Sequence, residues 1–141
     1  MPRVRVRFLD GEVIEMTSES VDSTREAFLG VREGGGNNTK VWVSLGSVKY
    51  ITFPDAILPD VVRDDAYSDR QRLVLHFSDG ETIRAFVDDT FGLDGHAFNV
   101  RLWKESASTV ERALIPHHAL KAIFFVQVWD SHPPRPVGSA S

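Results

Sequence analysis

The chain predicts an all-β fold, read as a tandem duplication of one small, strongly bent, five-stranded β-barrel unit. Three observations lead there. The phrase "VRFLDGEVIEM" (residues 6–16) returns as "LHFSDGETIRAF" (residues 75–86), with Phe8/Phe77, Asp10/Asp79, Gly11/Gly80, Glu12/Glu81 and Ile14/Ile83 in register. The likeness continues beyond these phrases through two later pairs of apolar runs. Short apolar runs separated by turn signals at regular spacing point to a barrel or sandwich.

Each element follows from its own residues. Val4, Val6 and Phe8 alternate with Arg3, Arg5 and Arg7, the period of two of a half-buried strand. Asp10-Gly11 then predicts a two-residue type I′ hairpin loop, with φ > 0 at both central positions, and Val13 and Ile14 continue on the return strand. Leu73, Leu75 and Phe77 before Asp79-Gly80, with Thr82, Ile83 and Phe86 after it, repeat the hairpin. "AFLGV" (residues 27–31) matches "AFNVRL" (residues 97–102) as a third strand. "VWVSLGSVKYITF" (residues 41–53) matches "ALIPHHALKAIFF" (residues 113–125), pairing Val43 with Ile115, Val48 with Leu120, Lys49 with Lys121, Ile51 with Ile123 and Phe53 with Phe125. The breaks "SLGS" and "PHHA" predict a tight or 3₁₀ turn between a fourth and a fifth strand.

The expected organisation is a first β-barrel repeat over residues 1–53, a linker over 54–70, a second repeat over 71–130 and a disordered tail over 131–141. The linker holds two prolines and five aspartates, and its apolar residues Ile57, Leu58, Val61 and Val62 suggest that it packs down. The tail is rich in Pro and Ser without apolar periodicity. "REGGGNNTK" (residues 32–40) is the most flexible internal loop expected, with the polar "KESASTVER" (residues 104–112) as its counterpart.

A half of this size buries only about 60% of its unfolded surface and is marginal alone. The last strand, "LKAIFFVQVW" (residues 120–129), is apolar in both phases, so it is expected to be the most buried segment and to carry the contact between the two copies. A homodimer contact is the competing cover.

Composition narrows the function. A net charge of -4 argues against a protein whose main task is neutralising phosphates. The absence of cysteine removes disulfides, thiolate nucleophiles and cysteine metal sites. The charged N-terminal stretch is no signal peptide, and no apolar run approaches the roughly 20 residues that span a bilayer, so no membrane contact is expected and the expected location is cytoplasmic.

No cluster demands chemistry. His117 and His118 are adjacent, so on a strand they would face opposite ways, and polar turn residues are the favoured reading. His76 and His96 complete no HExxH pattern, so no metal is assigned. "VDDTFGLDG" (residues 87–95) lacks the frame of an EF-hand loop. Asp10 and Asp79 are explained by their turns, and "GGGNN" lacks the Lys-Ser/Thr of a phosphate loop. Catalytic residues and cofactors are therefore expected to be none.

The opening hairpin and the closing "LKAIFFV" resemble a small bacterial β domain with a V-x-F-x-D-G hairpin and an L-K-A-[IV]-F-F-V closing strand. That domain occurs alone or beside signalling domains of the PilZ type. The second half carries the likeness through Phe77, Asp79, Gly80, Leu120, Lys121, Ala122, Phe124, Phe125 and Val126; the first keeps Phe8, Asp10, Gly11 and Lys49, with "VKYITF" for "LKAIFF". The resemblance implies a fold of Sm-like or split-barrel type and brings no activity with it. Asp88 and Thr90 also fit part of the "[DN]-x-S-x-x-G" phrase by which PilZ domains bind cyclic di-GMP. Leu93 stands where that phrase has Gly, and Arg70 and Arg72 are wrongly spaced for its arginines, so a solvated hairpin loop is favoured.

The expected function is non-enzymatic: a binding or scaffolding module working through protein–protein contacts in bacterial signalling or regulation. Trp42, Trp103 and Trp129 are the expected partner contacts, because aromatic anchors dominate interface energetics. The alternative is an RNA- or nucleotide-binding small β-barrel that uses the Arg3, Arg5 and Arg7 stripe. Alternate arginines on a strand more commonly serve solvation and edge protection.

Overall fold

The computed structural model of the chain describes residues 2–32, 40–56, 70–104 and 109–127. The strands in chain order are β1 (Arg3–Phe8), β2 (Val13–Thr17), β3 (Ala27–Arg32), β4 (Lys40–Ser44), β5 (Val48–Thr52), β6 (Arg72–Phe77), β7 (Thr82–Val87), β8 (Ala97–Lys104), β9 (Thr109–Pro116) and β10 (Leu120–Val126). They form one ten-stranded sheet, in the order β10-β6-β7-β8-β9-β5-β1-β2-β3-β4, in which every neighbouring pair is antiparallel. Two separate closed barrels are not formed. The sheet is open, because β5 and β9 spend their free edges on each other and leave β10 and β4 as its ends. No helix among the described residues is long and apolar enough to cross a membrane.

The ladders of β1–β5 and β6–β10 coincide position by position. Val6 faces Ile14 and Ile51, as Leu75 faces Ile83 and Ile123. Phe28 faces Val43 as Phe98 faces Ile115. Even the register shift recurs, next to the pair Phe8–Val48 and next to the pair Phe77–Leu120. The breaks before the fifth strands are 3₁₀ turns, Leu45–Ser47 and His117–Ala119, as the sequence predicts.

The two Asp-Gly hairpins correct a detail. Phe8 donates its amide to the Glu12 carbonyl (2.8 Å) and Gly11 donates to the Phe8 carbonyl (3.0 Å), so the loop holds three residues, not two. Gly11 and Gly80 both sit at φ 97°, a region costly for other residues, and each follows an aspartate that accepts the amide of the glutamate two residues on. This is a turn closed by a bulge, and it needs a positive φ only at its glycine.

Two main cores lie along the sheet. The first gathers Val4, Val6, Met16, Phe28, Val48 and Ile51, and it also takes Ala97 and Leu114 from β8 and β9. The second gathers Leu73, Leu75, Phe77, Phe98 and Ile115, with Tyr50 of β5 packed against it. The halves therefore share β9 and β5, with Ile51 facing Leu114 and Thr52 facing Ala113.

That overturns the expectation for the closing strand. β10 is an edge strand with no fully buried residue, and β6, buried from Leu73 to Phe77, is the covered one. An edge strand has a neighbour on one side only, so apolar residues in both phases do not guarantee cover. The expected linker core (residues 57–69), the glycine run (33–39) and the tail (131–141) fall outside the described residues.

Candidate functional site

The two ends of the sheet carry the exposed aromatic surface. On β4, Trp42 is 65% exposed and stands beside its register partner Leu29 of β3, with Val31 exposed on the same face. On β10, Phe124 and Phe125 are 40% and 54% exposed and point to opposite faces. Phe124 stacks on His76 with ring centroids 4.4 Å apart, and Phe125 meets the Phe91 ring edge-on at 6.4 Å. His76 is buried, its Nε2 has no hydrogen-bond partner, and burial followed by the Lys121 charge pushes its pKa down. It is thus a neutral ring platform for Phe124 near pH 7.

The expected contact residues divide accordingly. Trp42 is an exposed edge residue. Trp103 is half-buried, packed with Val110 against Phe86, so it belongs to a small core on the other face. Trp129 lies outside the described residues. Phe124 and Phe125, which the sequence places in a strand expected to be covered, are instead the exposed aromatic residues of β10.

The arginine stripe is largely engaged. Arg3 pairs with Asp55 at 3.0 Å, Arg5 with Glu15 at 2.8 Å, and the Arg7 guanidinium lies over the Tyr50 ring at 5.6 Å. The carboxylates of Glu15 on β2 and Asp55 after β5 balance two of the three charges, and Tyr50 on β5 covers the third, so the stripe offers little free charge to phosphates.

Where β5 meets the second half, an ion pair crosses the junction. Lys49 Nζ is 2.6 Å from Asp79 Oδ2, also pairs with Glu81, and sits 5.0 Å from the centre of the Phe77 ring. Burial alone would lower the Lys49 pKa, but the hydrogen bonds to Asp79 and Glu81 hold it above its ordinary value, and Lys49 in turn holds Asp79 low. Sequence comparison of the halves aligns these residues without showing that one half's lysine reaches the other half's hairpin.

A cleft of about 440 Å³ opens at the same junction, between the two 3₁₀ turns, and includes Glu26, Leu45, His96, His117 and His118 in its lining. His118 Nε2 meets the Leu45 carbonyl, and His96 lies 3.8 Å from Glu26. Among the described residues no group of three or more His, Asp or Glu side chains is placed to hold a metal.

The loop after β7 is tied inward. Arg101 Nε donates to Asp88 Oδ1 at 2.9 Å with both residues under a tenth exposed, and Asp88 Oδ2 accepts from the Thr90 amide and hydroxyl. Arg70 pairs with Asp89 at 2.7 Å. Burial raises the Asp88 pKa, but the Arg101 and Thr90 donors outweigh it and hold the carboxyl below its ordinary value. Asp88 and Thr90 are thus occupied by the fold.

No family model, curated protein or solved structure matches this chain.

Proposed function

We propose that this chain is a non-enzymatic binding or scaffolding module, a tandem of two Sm-like five-stranded units, working through protein–protein contacts made at its sheet edges. The observation that carries the reading is the exposure of Trp42, Phe124 and Phe125 on the two strands whose outer backbone groups have no neighbour among the described residues. An unpaired edge offers amides and carbonyls to an added strand, and aromatic side chains beside it supply apolar area. The coincident ladders of the two halves support the tandem reading. The likeness to the small bacterial domain found beside PilZ-type modules supports a place in bacterial signalling or regulation, in the cytoplasm. The RNA- or nucleotide-binding alternative draws less support, because Arg3 and Arg5 are paired with carboxylates and Arg7 lies on Tyr50.

Affinity capture from native extract tests the proposal. Trp42→Pro and Phe125→Lys should each remove the captured partners, whereas Arg5→Gln should leave them in place. Retention of every partner by both edge variants refutes the reading. Submicromolar binding of a generic RNA at physiological salt, lost on replacing Arg3, Arg5 and Arg7, would put the alternative first.

A further inference from the structure

The junction inside the chain is a template for a junction between chains. Three of its features have counterparts at the two free edges, in the positions that the coincident ladders assign.

The first is the strand pairing. β9 joins β5 through Leu114–Ile51 and Ala113–Thr52, extended by the bond from the Phe53 amide to the Arg112 carbonyl. The ladder positions of Arg112, Ala113 and Leu114 on β9 are those of Lys40, Val41 and Trp42 on β4. Those of Ile51 and Thr52 on β5 are those of Ile123 and Phe124 on β10. The backbone alternation agrees. Leu45 donates to Glu26 just as His117 donates to His96, so the Trp42 backbone faces outward from β4 as the Leu114 backbone faces β5.

The second is the packing. Leu114 turns away from the core of its own half and enters the first core, where it is 2% exposed. Trp42 occupies the same ladder position with nothing to enter, and the second core is open at Ile123 and Phe125, the counterparts of Ile51 and Phe53. At the internal junction Arg112 lies 4.9 Å over the Phe53 ring; Lys40 and Phe125 are the equivalent cation and ring.

The third is the charge. Lys49 reaches Asp79 and Glu81 across the internal junction. The matching residues, Lys121 on β10 and Asp10 and Glu12 in the first hairpin, are all exposed, and no ion pair joins any of them to another described residue.

We propose that a second copy of this chain is the occupant of the edge: β4 of one copy adds antiparallel to β10 of the next, with Ile123 facing the neighbour's Trp42 and Phe124 facing its Val41. The proposal rests on the contact-module reading above and names its partner. The contact is head-to-tail, so it propagates into a closed ring or a filament. Trp42 fills the open side of the neighbour's second core, and Lys121 pairs with the neighbour's Asp10 and Glu12.

The absence of cysteine makes the register directly measurable. Thr52 and Ala113 lie beside the hydrogen-bonded Phe53–Arg112 pair, so their counterparts, Phe124 and Val41, form a non-hydrogen-bonded pair whose spacing suits a disulfide. A Val41→Cys chain mixed with a Phe124→Cys chain and oxidised should yield the covalent dimer as the main product. Val41→Cys with Phe125→Cys, one residue out of register, should yield at least about tenfold less, because its two side chains leave opposite faces. In light scattering the unmodified protein should have a mass that is a multiple of 15.8 kDa, and Trp42→Pro should shift it towards the monomer with an unchanged far-UV spectrum. A monomer at high concentration without cross-linking, or equal cross-linking of the two cysteine pairs, overturns self-pairing. If Trp42→Pro then still abolishes capture from extract, the edge serves another protein; if capture is also unaffected, the contact-module reading falls with it.

Discussion

Replacing the buried Asp88 by Ala should destabilise the second half more than any other single change in the loop after β7. The side chain serves two elements at once: it accepts from Arg101 of β8 at 2.9 Å, and it closes its own turn through Thr90. Removing one partner of a buried pair leaves an uncompensated charge, which typically costs 3–5 kcal/mol. Asp89 Oδ2 remains 3.4 Å from the Arg101 guanidinium but is well exposed, so it offsets only part of the loss. A net cost of about 3 kcal/mol follows, or about 10 °C in melting temperature for a chain of this length. Two controls separate charge from packing. Asp88→Asn keeps an acceptor for the turn and should lose somewhat less, while Asp88→Ala with Arg101→Leu should recover most of the loss, because an apolar pair leaves no buried charge. The pH dependence has a definite sign. The folded pKa of Asp88 is lowered, so its contribution is fully present above the unfolded value and disappears as pH falls through the folded one. Denaturant titrations should therefore show the gap between wild type and Asp88→Asn constant near neutrality and closing below about pH 4. A gap that is absent at pH 7, or that widens on acidification, would refute the reasoning.

Other positions test separate parts of the account. Gly80→Val should cost about 1–3 kcal/mol through backbone strain at φ 97° alone, since no atom lies within 4 Å of an added Cβ, while Gly92→Val, which also has room but no positive φ, should be close to neutral; equal melting temperatures would contradict the turn assignment. Lys49→Met should cost roughly 1 kcal/mol, held down by the exposure of Asp79 and Glu81. Because the Lys49 pKa is raised and Lys49 holds the Asp79 pKa down, that difference should persist through neutrality and shrink both as pH rises beyond about 10.5 and as it falls below about 4. Leu75→Ala, at a fully buried site, should cost about 2–5 kcal/mol, whereas Phe125→Ala in dilute protein should cost about 1 kcal/mol or less, and similar losses in chemical denaturation would contradict the placement of β10 at an edge.

Much of this architecture is legible in the residues themselves. Period-two alternation marks β1 at Val4 and Val6, the Asp-Gly pairs mark both hairpins, and "SLGS" and "PHHA" mark both 3₁₀ turns. These features depend on interactions within a few residues, and so local sequence determines them. The match between the halves likewise foretells a shared ladder, because a strand slipped by one residue turns its apolar set to the wrong face.

What the sequence could not decide is which strand ends up beside which across the two halves. β9 and β10 are both apolar enough to be covered, and their residues alone do not say which one receives a neighbour. The tertiary structure gives the neighbour to β9, through β5, and leaves β10 at the edge with Phe124 and Phe125 in view. It also decides the fate of the aligned residues: Lys49 meets the second hairpin, Leu114 enters the first core, and Trp42 and Lys121 stand at the same ladder positions without those partners. The physical reason is that hydrogen-bonding capacity along a strand edge is the same for every strand. Alternation determines which face a side chain takes, while only the strand order of the whole sheet determines which edge is left for another chain.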